Sequence, residues 1–132
     1  MRALFLAAAA LLAACTTATP TPAPTPLPSG EWRLVDGGAR PPTIQFAREG
    51  ETERAAGFAG CNRWFGTVTR SDAGAVSLSA IGATRMACME GDTMQREAAF
   101  LEQLGRVTAV REDGGALVLS DASGAALLRF TR

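Results

Sequence analysis

The side chains that could do chemistry in this chain are two cysteines, Cys61 and Cys88, and the polar groups near them: Asn62, Arg63, Thr84, Arg85, Glu90 and Glu97. Cys61 lies in Gly57-Phe58-Ala59-Gly60-Cys61-Asn62-Arg63-Trp64-Phe65-Gly66. Three glycines among large aromatics suit neither a helix interior nor a plain strand, so the run marks an imposed backbone geometry. A thiol there could form a disulfide, or act as a nucleophile if its pKa were depressed. The second use is poorly supported. The cysteines lack the close Cys-x-x-Cys spacing and have no neighbouring His or Lys, although Arg63 and Arg85 each lie near one. Glu97 with Glu90 is a conceivable glycosidase-like carboxylate pair, with nothing in the sequence to fix its separation.

What is missing excludes more than what is present. The chain has no His and no Tyr, and its 13 basic residues are all arginine. That removes an imidazole base, a Ser-His pair, a Schiff-base lysine and a tyrosine acid. Two cysteines without histidine supply neither the number nor the spacing of a zinc site, so no metal and no cofactor are expected. Thirteen acidic residues balance the basic ones. Nucleic acid is not an expected partner, because phosphate binding leaves a basic footprint and these arginines are scattered singly.

The N-terminus is an address. Met1-Arg2 is followed by an apolar run from Ala3 to Ala14, too short to span a bilayer, which reads as a signal peptide over residues 1–14. Its ending, Leu12-Ala13-Ala14-Cys15, resembles the lipobox of bacterial lipoproteins, which implies acylation of Cys15. Thr16 in place of a retention Asp implies the outer membrane, with the domain facing the periplasm and the membrane as its first partner. Residues 15–29 then form a lipidated cysteine and a Pro/Thr-rich tether, with Pro at 20, 22, 24, 26 and 28. Alternating proline predicts an extended spacer reaching up to ~40 Å. In an oxidising envelope the remaining even pair, Cys61 and Cys88, reads as a disulfide. A reactive thiol pair is the competing reading.

The domain that positions these residues, 30–132, shows short alternating runs between turn residues, the pattern of an antiparallel sheet. Trp32 and Leu34 share one face of the first run, Ile44 and Phe46 one face of the second, Trp64 and Val68 one face of the strand leaving the cysteine motif. Val76 and Leu78 follow. A helix is predicted to about Leu104, with Asp92 or Thr93 as cap, Gln95 completing a capping box and Gly105 as stop. Met94, Ala98, Leu101 and Leu104 define its apolar face, with Phe100 at the edge. Three strands in a meander close the chain, with Leu117 and Leu119 alternating in one and Leu128 and Phe130 in the next. The sum is a mainly β (α+β) domain: an antiparallel curled sheet or incomplete β-barrel of about eight short strands with one amphipathic helix.

Trp32-x-Leu34, Gly60-Cys61-Asn62-Arg63-x-x-Gly66, Ile81-x-x-Thr84-Arg85-Met86-Ala87-Cys88, Met94-x-x-Glu97-x-x-Phe100-x-x-x-Leu104 and the closing Leu117-x-Leu119 hairpin resemble the META (HslJ-like) domain family across Glu31 to Phe130. The resemblance implies a cracked barrel with one helix in a secreted or lipid-anchored protein, links to motility, heat response and antibiotic tolerance, and no established reaction. A proline often follows the second cysteine in such proteins, whereas Met89 stands there in this chain.

Structural roles are expected for the motif residues. Gly60 and Gly66 admit unusual φ or close strand approach, and Asn62 is a turn residue. Thr84 bonds backbone between the two motif loops. Glu97 falls on the apolar arc between Leu104 and Leu101, so it must be paired or bend out to water. The expectation is that it bonds to Arg63, Arg85 or backbone donors of the Cys61 and Cys88 loops. Function then falls to a non-enzymatic, monomeric envelope domain that binds an envelope protein or an apolar ligand at the barrel opening. A structural envelope factor without a specific ligand and a carboxylate hydrolase are the alternatives.

Overall fold

The computed structural model describes residues 24–132. The signal peptide, Cys15 and the tether as far as Ala23 lie outside the described residues. Eight strands and one helix follow in the order β1 (Trp32–Leu34), β2 (Thr43–Glu49), β3 (Thr52–Phe58), β4 (Arg63–Arg70), β5 (Val76–Ala83), α1 (Thr93–Gly105), β6 (Ala109–Asp113), β7 (Ala116–Ser120) and β8 (Ala126–Thr131). All pair antiparallel in a single sheet of order β5-β4-β3-β2-β1-β8-β7-β6. The three-residue β1 joins the two meanders, with Trp32 opposite Ile44 on one side and Leu34 opposite Phe130 on the other.

The sheet is open, with β5 and β6 as its two edges. It nevertheless curls until the edges meet at one end, where the Val76 N–H donates to the Thr108 carbonyl at 2.9 Å. This is the incomplete barrel that the alternating runs predict. Its interior holds Trp32, Ile44, Trp64, Leu117, Leu119 and Phe130, each almost fully buried. Val118 points the other way and is buried too. Register places Arg111 and Arg129 directly opposite it on the flanking strands, and long arginine stems are suited to covering such a residue.

Helix α1 seals the open side. Phe100 meets Trp64 edge-on with ring centroids 5.9 Å apart and Phe130 at 6.4 Å, bridging the two halves of the sheet. Such pairs contribute about 0.5–1.5 kcal/mol beyond their burial. The buried face is Thr93, Glu97, Phe100 and Leu104, which corrects the face read from apolar residues alone. Phe100 is central rather than marginal, Ala98 is exposed, and Met94 is 41% exposed. Counting only apolar residues rotates the helix, because two of its four inward residues are polar.

The helix ends also differ from expectation. Asp92 is the N-cap but makes no side-chain capping bond, so there is no capping box with Gln95. Its carboxylate instead pairs with Arg96 at 3.1 Å, while the Thr93 hydroxyl donates to the Glu90 carbonyl at 2.7 Å. Gly105 is the last helical residue and Arg106, in right-handed geometry, is the C-cap.

One end of the barrel is occupied by the chain itself. Leu27 packs against the core. Clefts flank its segment, one shared with Phe46 and Glu53, the other with Val76 and Val110. The described part of the proline-rich segment therefore lies across the barrel end near the edge junction.

Candidate functional site

The cysteine motif folds into a buried polar knot. At its start, a Cβ on Gly57 would run into the Thr43 backbone, so only glycine lets β3 come this close to β2. The Thr43 carbonyl accepts from Trp64 Nε1 at 2.9 Å and its hydroxyl from the Phe58 N–H at 3.0 Å, which fixes the strand ends. Gly60 then turns with φ +113°, a value that L side chains rarely adopt. The turn aims two successive N–H groups inward. Those of Cys61 and Asn62 both donate to Glu97 Oε2, at 3.1 and 2.6 Å.

Asn62 is the hub. Its Nδ2 donates to Glu97 Oε1 at 2.7 Å and to the Met86 carbonyl at 3.1 Å. Its Oδ1 accepts from the Thr84 hydroxyl at 2.9 Å and from the Met86 N–H at 2.6 Å. Two donors and two acceptor sites are thus all used, the full capacity of a primary amide. Thr84 Oγ1 in turn accepts from the Arg63 N–H at 3.2 Å. The Cys61–Cys88 disulfide, Cα atoms 5.9 Å apart, crosses the same two segments.

The structure therefore brings Cys61, Asn62, Thr84, Met86, Cys88 and Glu97 together. Glu97 is fastened to backbone donors of the Cys61 loop, as one branch of the expectation has it. The other branches fail. The Arg63 and Arg85 side chains are exposed and neither is ion-paired among the described residues, and no donor of the Cys88 loop reaches the carboxylate. Asn62 is not merely a turn residue: at 1% exposure it is the main partner of Glu97. Gly66 sits away from the knot, opposite a bulge in β5 between Phe65 and Thr67 of β4, where Ala80 takes φ +49°. A Cβ on Gly66 would lie 3.3 Å from the Ser79 carbonyl oxygen, so its role is close strand approach.

Chemically the knot is tightly engaged. Glu97 Oε2 takes two N–H donors and Oε1 one, so acid, base or nucleophilic work by this carboxylate would have to give up bonds that hold the helix to the Cys61 loop. The Arg70 guanidinium bonded to Glu53, aided by Arg48, holds that carboxyl below its ordinary range.

Beside the knot is a groove of about 360 Å³, walled by the Asp36–Pro42 loop and by α1 from Thr93 to Gln103. Gly60 lines it, while the next residue, Cys61, belongs to the knot. Its floor is apolar (Leu34, Pro42, Ala59, Phe100) and its rim carries Asp36, Arg40, Glu90 and Arg96. The loop is held in shape by Asp36 at φ +61° and by Arg40, whose guanidinium lies 5.1 Å from the Phe58 ring centroid. Sequence reading missed this groove, since its walls come from two loops with no shared motif. Among the described residues no cluster of three or more His, Cys, Asp or Glu could hold a metal ion.

A family model described as the META domain matches residues 25–132. An NMR structure of a protein from Burkholderia xenovorans is similar, with TM-score 0.60 and 26% identity, covering 88% of this chain and 95% of that one. A second NMR structure has TM-score 0.56 at 24% identity and covers 80% and 90%; it supports the fold alone. No curated protein matches.

Proposed function

Because the chain belongs to the META domain family, we propose that it is a non-enzymatic domain carried on a lipid anchor at Cys15 in the cell envelope, facing the periplasm from the outer membrane. The domain binds a short segment of an envelope protein in the groove between the Asp36–Pro42 loop and α1. The observation that carries this reading is the groove's composition: an apolar floor with carboxylates and guanidiniums around it, next to a knot whose polar groups are bonded to one another. An extended peptide with one apolar anchor and flanking charges has the matching chemistry. An apolar ligand held inside the barrel is less well supported, because Leu27 lies at one end and Phe100 at the open side. A role in heat or envelope stress, or in antibiotic tolerance, is proposed from the family resemblance.

The test is capture of envelope proteins by the wild-type chain and by Ala99→Trp. Ala99 is exposed on the groove wall, so the indole fills the groove without entering the core. Loss of a specific captured protein in the variant supports the reading. Identical capture by both, or none by either, contradicts it and favours a structural envelope factor. Acyl-chain labelling that persists in Cys15→Ala would refute the anchor.

A further inference from the structure

After the initiator, every methionine of the chain falls within nine consecutive positions: Met86, Met89 and Met94. None is in the core, which is built from Trp, Phe, Ile, Leu and Val. Methionine ordinarily fills gaps in cores, yet these three are 59%, 91% and 41% exposed. The segment displaying them is fixed at several points. Both backbone polar groups of Met86 are bonded to Asn62, Cys88 is tied by the disulfide, and the Glu90 carbonyl accepts from the Thr93 hydroxyl where the loop turns into α1. Met86 and Met94, on opposite arms of this loop, line a single shallow cleft of about 430 Å³ together with Ile81 and Leu101. Met89 lies between them in sequence, the most exposed of the three.

We propose that Met86, Met89 and Met94 form a binding site for a soft monovalent metal ion, Cu(I), held by thioether sulfurs. Thioethers select Cu(I) over harder divalent ions, which take imidazole, carboxylate or carbonyl ligands. Within the domain, residues 30–132, nothing of the same softness competes: there is no histidine, and both of its cysteines are in the disulfide. The fold brings Met86 and Met94, the latter in the first turn of α1, to one cleft, and Met89 on the segment between them carries three rotatable side-chain bonds with which its sulfur can be redirected toward an ion held there. A thioether also carries no proton to lose, so this site should bind without the pH dependence of thiolate, imidazole or carboxylate sites.

The test is anaerobic competition between the full chain carrying Cys15→Ser, so that with the Cys61–Cys88 disulfide intact no thiol is free, and a chromophoric Cu(I) chelator. The expected result is withdrawal of one Cu(I) per chain from the chelator, no uptake of Zn(II), sulfur-only ligation by X-ray absorption and retention when the pH is lowered from 7 to about 5. Met86→Leu with Met89→Leu and Met94→Leu should abolish the withdrawal and leave the urea midpoint unchanged, since all three side chains are exposed. No withdrawal by the wild-type chain, or equal withdrawal by the triple variant, would overturn the site. So would loss of binding at low pH in a chain that remains folded.

Discussion

The two sides of the first turns of α1 are built from adjacent residues and differ in one respect. On the inner side, the Asn62 amide makes all four of its hydrogen bonds and Glu97 accepts three, within a network that joins Cys61, Thr84 and Met86. On the outer side, Arg96, Asp92 and Glu90 stand at the groove in water, with a half-exposed ion pair at 3.1 Å. A polar group buried and fully partnered holds structure, because releasing any one partner strands the others. An exposed charge costs little to redirect toward a new partner, so recognition is sought there. The cysteine motif, the most distinctive stretch of the sequence, is thus a clamp between helix and sheet, and the plainer Asp36–Pro42 loop faces the candidate partner.

The largest expected effect tests the inner side. Glu97→Ala leaves the buried N–H groups of Cys61 and Asn62 and one hydrogen of the Asn62 side-chain amide without a partner, and at roughly 1–3 kcal/mol each the loss should be about 5 kcal/mol, much of a typical domain's stability. Thermal unfolding measured by circular dichroism checks it. Next comes the disulfide: Cys61→Ala with Cys88→Ala should cost roughly 3–4 kcal/mol in urea, from the loop it closes in the unfolded chain. A loss of partner capture without loss of stability would reverse the roles assigned to the two sides.

A smaller effect is expected on acidification. The Glu53 carboxyl is held below its ordinary range chiefly by its hydrogen bond from Arg70, so it binds a proton less readily folded than unfolded. Its contribution is present above the ordinary glutamate range and is lost as pH falls through the lowered folded value. Arg70→Ala should flatten this part of the acid stability curve and cost on the order of 1 kcal/mol near neutrality. Smallest of all, Arg96→Ala at the groove rim should change stability by no more than about 0.5 kcal/mol while weakening partner capture.

Much of the fold was legible because alternating residues in strands report one buried face directly, as Leu117 and Leu119 or Trp64 and Val68 do. The strand count, the single helix and the C-terminal meander follow from that pattern and from the turn residues between runs. What the pattern could not carry is long range or polar. The insertion of β1 between β2 and β8 pairs Arg33 with Thr131 and Leu34 with Phe130, from opposite ends of the domain, and no local signal encodes it. β5 runs past Ser79 only because Ala80 adopts a positive φ, which propensity disfavours. The inward face of α1 was misread because Thr93 and Glu97 are buried by partners that the sequence does not reveal, while Met94 faces out. Glu97 was legible as an anomaly, and its main partner was not, since an asparagine beside glycine and cysteine reads first as a turn.

The claim that Glu97 clamps helix to sheet is tested most directly by urea unfolding of Glu97→Gln. The substitution keeps the shape and one acceptor oxygen but turns an N–H₂ group toward donors that already point inward. The account predicts a fall of about 2–3 kcal/mol with an unchanged dependence on urea. A midpoint equal to that of the wild-type chain would contradict it.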